Sequence, residues 1–139
     1  MSAVLSIVRS KSLGGFVTFP SVLVVDDDEA VSAVMQEILR QAGYDVSGAS
    51  SAEDTIEIIK KGHVDILIYD LSVRSQPESF DLLASCLKDR PSLAILLITG
   101  FANEEARQEA KCLGISLLEK PFEAGTLVAE LSSFGRRVA

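Results

Sequence analysis

Three consecutive carboxylates, Asp26, Asp27 and Asp28, directly follow a run of apolar residues at positions 22–25. That run is rich in valine, a composition typical of a strand that is buried on both faces. Adjacent acids repel one another, so such a cluster either lies in solvent or holds a cation. A role as helix cap would explain Asp28 alone. Asp26 and Asp27 therefore remain candidate metal ligands.

Three later apolar runs also stop at a side chain that could do chemistry. These side chains are the carboxylate of Asp70, the hydroxyl of Thr99 and the ammonium of Lys120. Carboxylate oxygens suit Mg²⁺, which keeps open positions for water and for phosphate oxygens. A lysine and a threonine are groups that would bind a phosphoryl group beside such an ion. The pattern indicates a cation or phosphate site if the chain brings these residues together.

The spacing of the apolar residues predicts the elements that would do so. From residue 22 onwards, short apolar runs alternate with segments whose apolar residues fall at helical spacing. The predicted strands are 22–25, 44–49, 65–70, 93–98 and 115–118, and the last helix is expected to end before Gly135. Because parallel strands need long right-handed crossovers, the alternation predicts an α/β fold: a doubly wound five-stranded parallel sheet with five helices. The carboxyl ends of its strands would line one crevice.

Local signals mark the ends of several predicted helices. Ser51 and Asn103 stand where side-chain helix caps are expected, as Asp28 does for the first helix. Gly43 and Gly114 stand where a left-handed residue would stop a helix.

Composition divides the chain into three parts. Residues 1–20 contain basic residues but no acids, and glycines and a proline interrupt them, which predicts an N-terminal arm. Residues 21–135 hold the predicted strands and helices and form the domain, and residues 136–139 form a C-terminal tail.

The bulk properties exclude several classes of function. The chain has 139 residues, 47% of them apolar, and a net charge of −7. That charge argues against direct binding of nucleic acid or of an anionic membrane through electrostatics. The apolar runs are far shorter than the roughly 20 residues of a membrane helix. Cys86 and Cys112 lack metal-ligand spacing, so we expect a reducing, cytoplasmic compartment.

The four strand ends, taken together, resemble the receiver domain of two-component response regulators. The matching stretches are 22–27, 66–70, 96–100 and 117–122, in this order and spacing, and the resemblance extends over residues 22–134. It implies a flavodoxin-like fold with strand order 2-1-3-4-5.

The resemblance also assigns roles at the strand ends. Asp70 would accept a phosphoryl group from the phosphohistidine of a sensor histidine kinase or phosphotransfer protein, giving an acyl phosphate. Asp27, Asp70 and the backbone carbonyl of Ser72 would ligate Mg²⁺ directly, while Asp26 would act largely through a bound water. Lys120 would pair with Asp70 or its phosphoryl group.

Two further residues complete that assignment. The Thr99 hydroxyl would bond a phosphoryl oxygen, and Pro121 would follow a cis peptide bond that aims the preceding lysine into the site.

The chain departs from the family pattern in two places. The loop after Asp70 is about one residue longer than usual and has Val73 and Arg74 where Met and Pro are common. Leu117 stands where the family usually carries an aromatic residue in the fifth strand. A leucine inside a strand is more readily a fixed core residue than a switch. We therefore expect the segment after Thr99, with Gly100 and Phe101, to move on activation instead.

Three functions remain open on the sequence alone. The first is a phosphorylatable receiver, not itself an enzyme, that signals to a downstream effector or output domain. The second is a phosphorylation-independent interaction module, which the missing aromatic residue favours. The third is a phosphatase with an aspartyl nucleophile, which ranks last because Ser72 stands where its general acid is expected. The sequence leaves open whether the protein forms a homodimer. It also leaves open whether the chain is a stand-alone receiver or a fragment of a larger regulator.

Overall fold

The alternation of strands and helices is confirmed by a computed structural model that describes residues 19–74 and 78–138. The strands are β1 (Ser21–Val25), β2 (Asp45–Ala49), β3 (Ile66–Asp70), β4 (Ala94–Thr99) and β5 (Ser116–Glu119). The helices are α1 (Glu29–Gln41), α2 (Ala52–Lys61), α3 (Ser79–Asp89), α4 (Glu104–Leu113) and α5 (Ala124–Val138). The predicted N-terminal arm lies outside the described residues, apart from Phe19 and Pro20.

The strands form one parallel sheet in the order β2-β1-β3-β4-β5. This is the doubly wound sheet that the alternation predicted, in the flavodoxin-like order that the resemblance implied. The pairing sets Val25 beside Tyr69, Asp70 beside Ile98, and Thr99 beside Glu119. The polar residues that follow the strands are thereby gathered at one edge of the sheet.

Helices cover both faces of the sheet, which is why the central strands are continuous apolar runs. Alternate residues of each strand point to opposite faces. Leu23, Leu67 and Leu97 pack on the side of α2, α3 and α4. Val24, Ile68 and Leu96 pack on the side of α1 and α5. The buried strands form a rigid base for the loops at their carboxyl ends.

The predicted helix caps are present. Asp28 accepts hydrogen bonds from the backbone N–H groups of Ala30 and Val31 at 3.0 and 3.2 Å, so it caps α1. Ser51 and Asn103 cap α2 and α4 in the same way. Gly43 and Gly114 have φ values of 101° and 71°, the left-handed backbone expected after a helix.

The last helix differs from its prediction. The predicted end lies before Gly135, whereas α5 continues through Gly135 to Val138. One glycine destabilises a helix by only about 1 kcal/mol relative to alanine, and the following Arg136 and Arg137 are good helix formers.

None of the described helices has both the length and the apolar character needed to cross a membrane.

Candidate functional site

Asp70 is the centre of the site at the carboxyl edge of the sheet. It is the last residue of β3 and only 1% of its surface is exposed. The Lys120 ammonium, which follows β5, pairs with its Oδ2 atom. The backbone N–H of Ser72 donates to its Oδ1 atom at 2.8 Å. Each oxygen of this buried carboxylate therefore has a partner, as a buried charge requires.

These partners decide the charge of Asp70. Burial alone would raise its pKa, but the hydrogen bonds from Lys120 and Ser72 outweigh burial, and the pKa of Asp70 is lowered. Burial would likewise lower the pKa of Lys120, but the bond to Asp70 and the nearby acids raise it. At neutral pH the pair is a carboxylate and an ammonium. An ionised carboxylate is the form that can act as a nucleophile.

Asp26 lies beside Asp70 but in a different environment. It is 2% exposed, and its Oδ1 atom accepts from the Asp28 N–H at 2.9 Å. Burial raises the pKa of Asp26, and the charge of Asp70 raises it further. The hydrogen bond from the Asp28 N–H and the charge of Lys120 lower it, but the net effect is a raised pKa. Its buried Oδ2 atom has no hydrogen-bond partner among the described residues. Such an oxygen needs a bound water or a cation nearby.

Asp27 completes a cluster around the same loop. It is exposed, and its Oδ1 atom accepts from the Ser72 hydroxyl at 3.5 Å. Ser72 thus contacts Asp27 through its side chain and Asp70 through its backbone. The fold brings together Asp26, Asp27, Asp70 and Ser72, the residues that the resemblance implied for a metal site.

These oxygens fit Mg²⁺ as donors. Within residues 19–74 and 78–138, no three Asp, Glu, His or Cys side chains are grouped closely enough to hold a metal by themselves. Mg²⁺ does not require this, because it is commonly held by one or two carboxylates and keeps several waters. The unpartnered Asp26 Oδ2 is suited to such a water. Asp27, Asp70 and the Ser72 carbonyl are the groups that would hold the ion.

Thr99 ends β4 at the same edge, but its hydroxyl is engaged elsewhere. Its Oγ1 atom donates to the Phe101 carbonyl at 3.2 Å and accepts from the Phe101 N–H at 3.1 Å. A hydroxyl carries a single hydrogen, so this hydrogen is not free for another acceptor in the resting structure. Phe101 itself is 72% exposed.

The residues around β5 were only partly foreseen. The peptide bond before Pro121 is cis, as the resemblance implied. Leu117 is partly buried and packs against the core on the side of α4. No role was predicted for Glu119, yet its carboxylate contacts Ala102 and Arg107. Local sequence carries no signal for these contacts, because they depend on how β4 and β5 pair.

Known proteins resemble this chain in sequence. A family model described as response regulator receiver domain matches residues 22–132. The DNA-binding transcriptional regulator NtrC of Rhizobium meliloti is 33% identical over 112 residues, which are 80% of this chain and 23% of that protein. The autoinducer 1 sensor kinase/phosphatase LuxN of Vibrio campbellii is 30% identical over 108 residues, 78% of this chain and 13% of that protein. The chain therefore spans only a small part of these two relatives.

Solved structures give the same result. The chemotaxis response regulator CheY4 of Vibrio cholerae is 27% identical with a TM-score of 0.76, and the match covers 84% of this chain and 99% of that one. A CheY-like receiver domain protein from Methanospirillum hungatei has a TM-score of 0.80 at 24% identity, with coverage of 86% and 97%. The second similarity supports the fold alone.

Proposed function

Because the chain belongs to the response regulator receiver family of two-component systems, we propose that Asp70 accepts a phosphoryl group from a sensor histidine kinase or a phosphotransfer protein. One observation carries the proposal: this buried carboxylate pairs with Lys120 and accepts from the Ser72 N–H, and these bonds keep it ionised. Such a group is a nucleophile placed beside a cation.

The transfer exchanges one bond to phosphorus for another. An oxygen of Asp70 attacks the phosphorus of a phosphohistidine, and a P–O bond forms while the P–N bond breaks. The electron pair of the broken bond stays on the imidazole, which leaves neutral because its other nitrogen already carries a proton. The product is an acyl phosphate on Asp70. Bound through Asp27, Asp70 and the Ser72 carbonyl, Mg²⁺ would offset the negative charge on the reacting oxygens.

Two side chains of the chain would stabilise the product. Lys120 already pairs with Asp70 and lies where its ammonium can also bind a phosphoryl oxygen. Thr99 would donate its hydroxyl hydrogen to another phosphoryl oxygen, which requires release of the Phe101 carbonyl. We infer that phosphorylation is thereby linked to the position of the loop after β4.

In this proposal the protein is a phosphoacceptor that assists its own phosphorylation and dephosphorylation, rather than an enzyme with a separate substrate. It would act in the cytoplasm and signal to a downstream effector or an output domain. Direct binding of nucleic acid by this domain is not part of the proposal, because the net charge of −7 opposes it.

Intact mass after incubation with Mg²⁺ and a small acyl-phosphate donor tests the proposal. The wild type should gain one phosphoryl group and Asp70→Asn should gain none. Asp81→Asn, at an exposed position of α3, is the control for the loss of one charge. If Asp70→Asn also gains the mass of a phosphoryl group, another residue is the acceptor. An unmodified wild type, tried with several donors, would instead support the phosphorylation-independent interaction module.

A further inference from the structure

Glu119 connects the phosphoacceptor edge of the sheet to the loop before α4. It is the last residue of β5 and pairs in register with Thr99 on β4. Its Oε2 atom accepts from the backbone N–H of Ala102 at 3.2 Å. Its Oε1 atom lies 3.9 Å from the Arg107 guanidinium on α4.

The loop that Glu119 contacts, residues 100–103, is held mainly by polar links. Thr99 bonds the Phe101 backbone at one end, and Asn103 caps α4 at the other. Between them, the Phe101 ring is exposed and a Cβ added at Gly100 would meet nothing within 4 Å. Ala102 is the one buried residue of this segment, and Gly100, Phe101 and Asn103 are exposed. With so little buried surface, the hydrogen bonds of the segment contribute strongly to its position.

The two contacts of Glu119 differ in strength. The side chains of Arg107 and Glu119 are 57% and 47% exposed, and an exposed pair at 3.9 Å contributes little because water screens it. The bond from the Ala102 N–H to a carboxylate is charge-assisted and therefore stronger than a neutral one. The hydrogen bond, not the ion pair, should hold the loop.

We propose that Glu119 is a positioning residue that holds the loop 100–103, and through it the Thr99 hydroxyl, in the resting conformation. The inference rests on the proposed function. When Thr99 turns its hydrogen to a phosphoryl group on Asp70, the Phe101 carbonyl is released, but the Ala102 N–H is still bound by Glu119. Glu119 therefore opposes the conformational change and lowers the population of the active state before phosphorylation.

Three variants separate the contacts. Glu119→Ala removes both, Glu119→Gln keeps an acceptor oxygen for Ala102 but loses the ion pair, and Arg107→Gln loses only the ion pair. Glu123→Ala, at an exposed position after Pro121, controls for the change in charge. The rate of amide hydrogen exchange at Phe101 and Ala102 in the free protein measures how firmly the loop is held. Affinity for beryllium fluoride with Mg²⁺ reports the active state.

Glu119→Ala should exchange these amides about three- to tenfold faster and bind beryllium fluoride tighter by a similar factor, the effect of one lost hydrogen bond. Arg107→Gln should stay within about twofold of the wild type, since it loses only an exposed ion pair. Glu119→Gln should lie between the wild type and Glu119→Ala, since its hydrogen bond survives in the weaker, neutral form. Unchanged exchange in Glu119→Ala, or faster exchange with equal or weaker affinity for beryllium fluoride, would overturn the proposal. If even the wild type does not bind beryllium fluoride, the proposed function fails, and the exchange rates alone decide whether Glu119 holds the loop.

Discussion

The side chain of Thr99 and the backbone of Phe101 exchange two hydrogen bonds, at 3.2 and 3.1 Å. The same hydroxyl is the one that a phosphoryl group on Asp70 would need as a donor. The Thr99 side chain can therefore link phosphorylation of Asp70 to the position of the loop that follows β4. Leu117, which packs against the core, offers no comparable link because it has neither a ring nor a hydroxyl.

Thr99→Val should therefore slow phosphorylation and loosen the loop at once. Valine has the shape of threonine without the hydroxyl, so it loses a hydrogen bond to a charged group, an effect of roughly 10- to 100-fold in rate. The rate is measured as the gain of one phosphoryl mass from a small acyl phosphate with Mg²⁺. Thr99→Ser keeps the hydroxyl and should stay close to the wild type. Equal rates for the Val and Ser variants would show that the hydroxyl takes no part.

Asp27→Asn should weaken Mg²⁺ binding without unfolding the domain. The Asp27 carboxylate is exposed and meets Ser72, so its removal takes away a candidate ligand but no core contact. We expect a loss of affinity of about tenfold or more, since even outer partners of a metal typically contribute that much. The affinity is measured by following amide chemical shifts of residues 26–28 and 70–73 during a Mg²⁺ titration.

Asp28→Asn is the matched control for that titration. It removes the same charge from the adjacent position but keeps a side-chain oxygen to cap α1, because asparagine caps helices about as well as aspartate. Mg²⁺ affinity should change little. Wild-type amides that do not move at saturating Mg²⁺, or equal losses in both variants, would contradict a specific role for Asp27.

Much of the fold could be predicted because single residues decide it locally. Asp28, Ser51 and Asn103 cap their helices through their own side chains, and the apolar runs become buried strands. The order of the strands could not be predicted in this way, since the alternation of strands and helices is compatible with several orders in a parallel sheet. Only the family resemblance supplied the order 2-1-3-4-5, which the structure confirms.

The contacts that the sequence did not reveal depend on neighbouring strands and on small energy differences. Glu119 contacts Ala102 only because β5 lies beside β4, and nothing near Glu119 in the chain indicates this. The bond between Thr99 and Phe101 depends on the turn that the loop makes. At Gly135 the prediction is wrong in magnitude, because one glycine destabilises a helix by only about 1 kcal/mol and the neighbouring residues favour helix.

The two cysteines should differ sharply in reactivity. Cys86 is buried in α3, and burial, with a further contribution from Asp89, raises the pKa of its thiol to about 11. Cys112 is exposed on α4. The thiolate is the reactive form of cysteine. A rise in pKa from 9.0 to about 11 lowers the thiolate fraction of Cys86 roughly 100-fold at neutral pH. Alkylation of the native protein, read by peptide mass, should modify Cys112 first. Comparable labelling of Cys86 before unfolding would mean that α3 opens readily.

Phe101→Ala should leave stability and phosphorylation intact while changing association. Because its ring is 72% exposed, truncation should alter the free energy of unfolding by no more than about 0.5 kcal/mol. An exposed aromatic ring is well suited to contact a partner. Sedimentation with and without beryllium fluoride measures self-association, and Val34→Ala, at an exposed apolar position of α1, is the control. A fall in melting temperature of more than about 4 °C without any change in association would mean that Phe101 only packs against α4.

Activation should move residues 100–105 more than Leu117. Thr99 and Glu119 bind the backbone of Phe101 and Ala102, and the bond from the Thr99 hydroxyl to the Phe101 carbonyl must break when Thr99 donates to a phosphoryl group. Leu117 lies inside β5, where it pairs with Leu97 and packs against the core, so no comparable link is lost there. Amide exchange with and without beryllium fluoride compares the two regions directly. We expect the larger change across 100–105, and unchanged protection there with large changes around Leu117 would show that the signal leaves the site through β5.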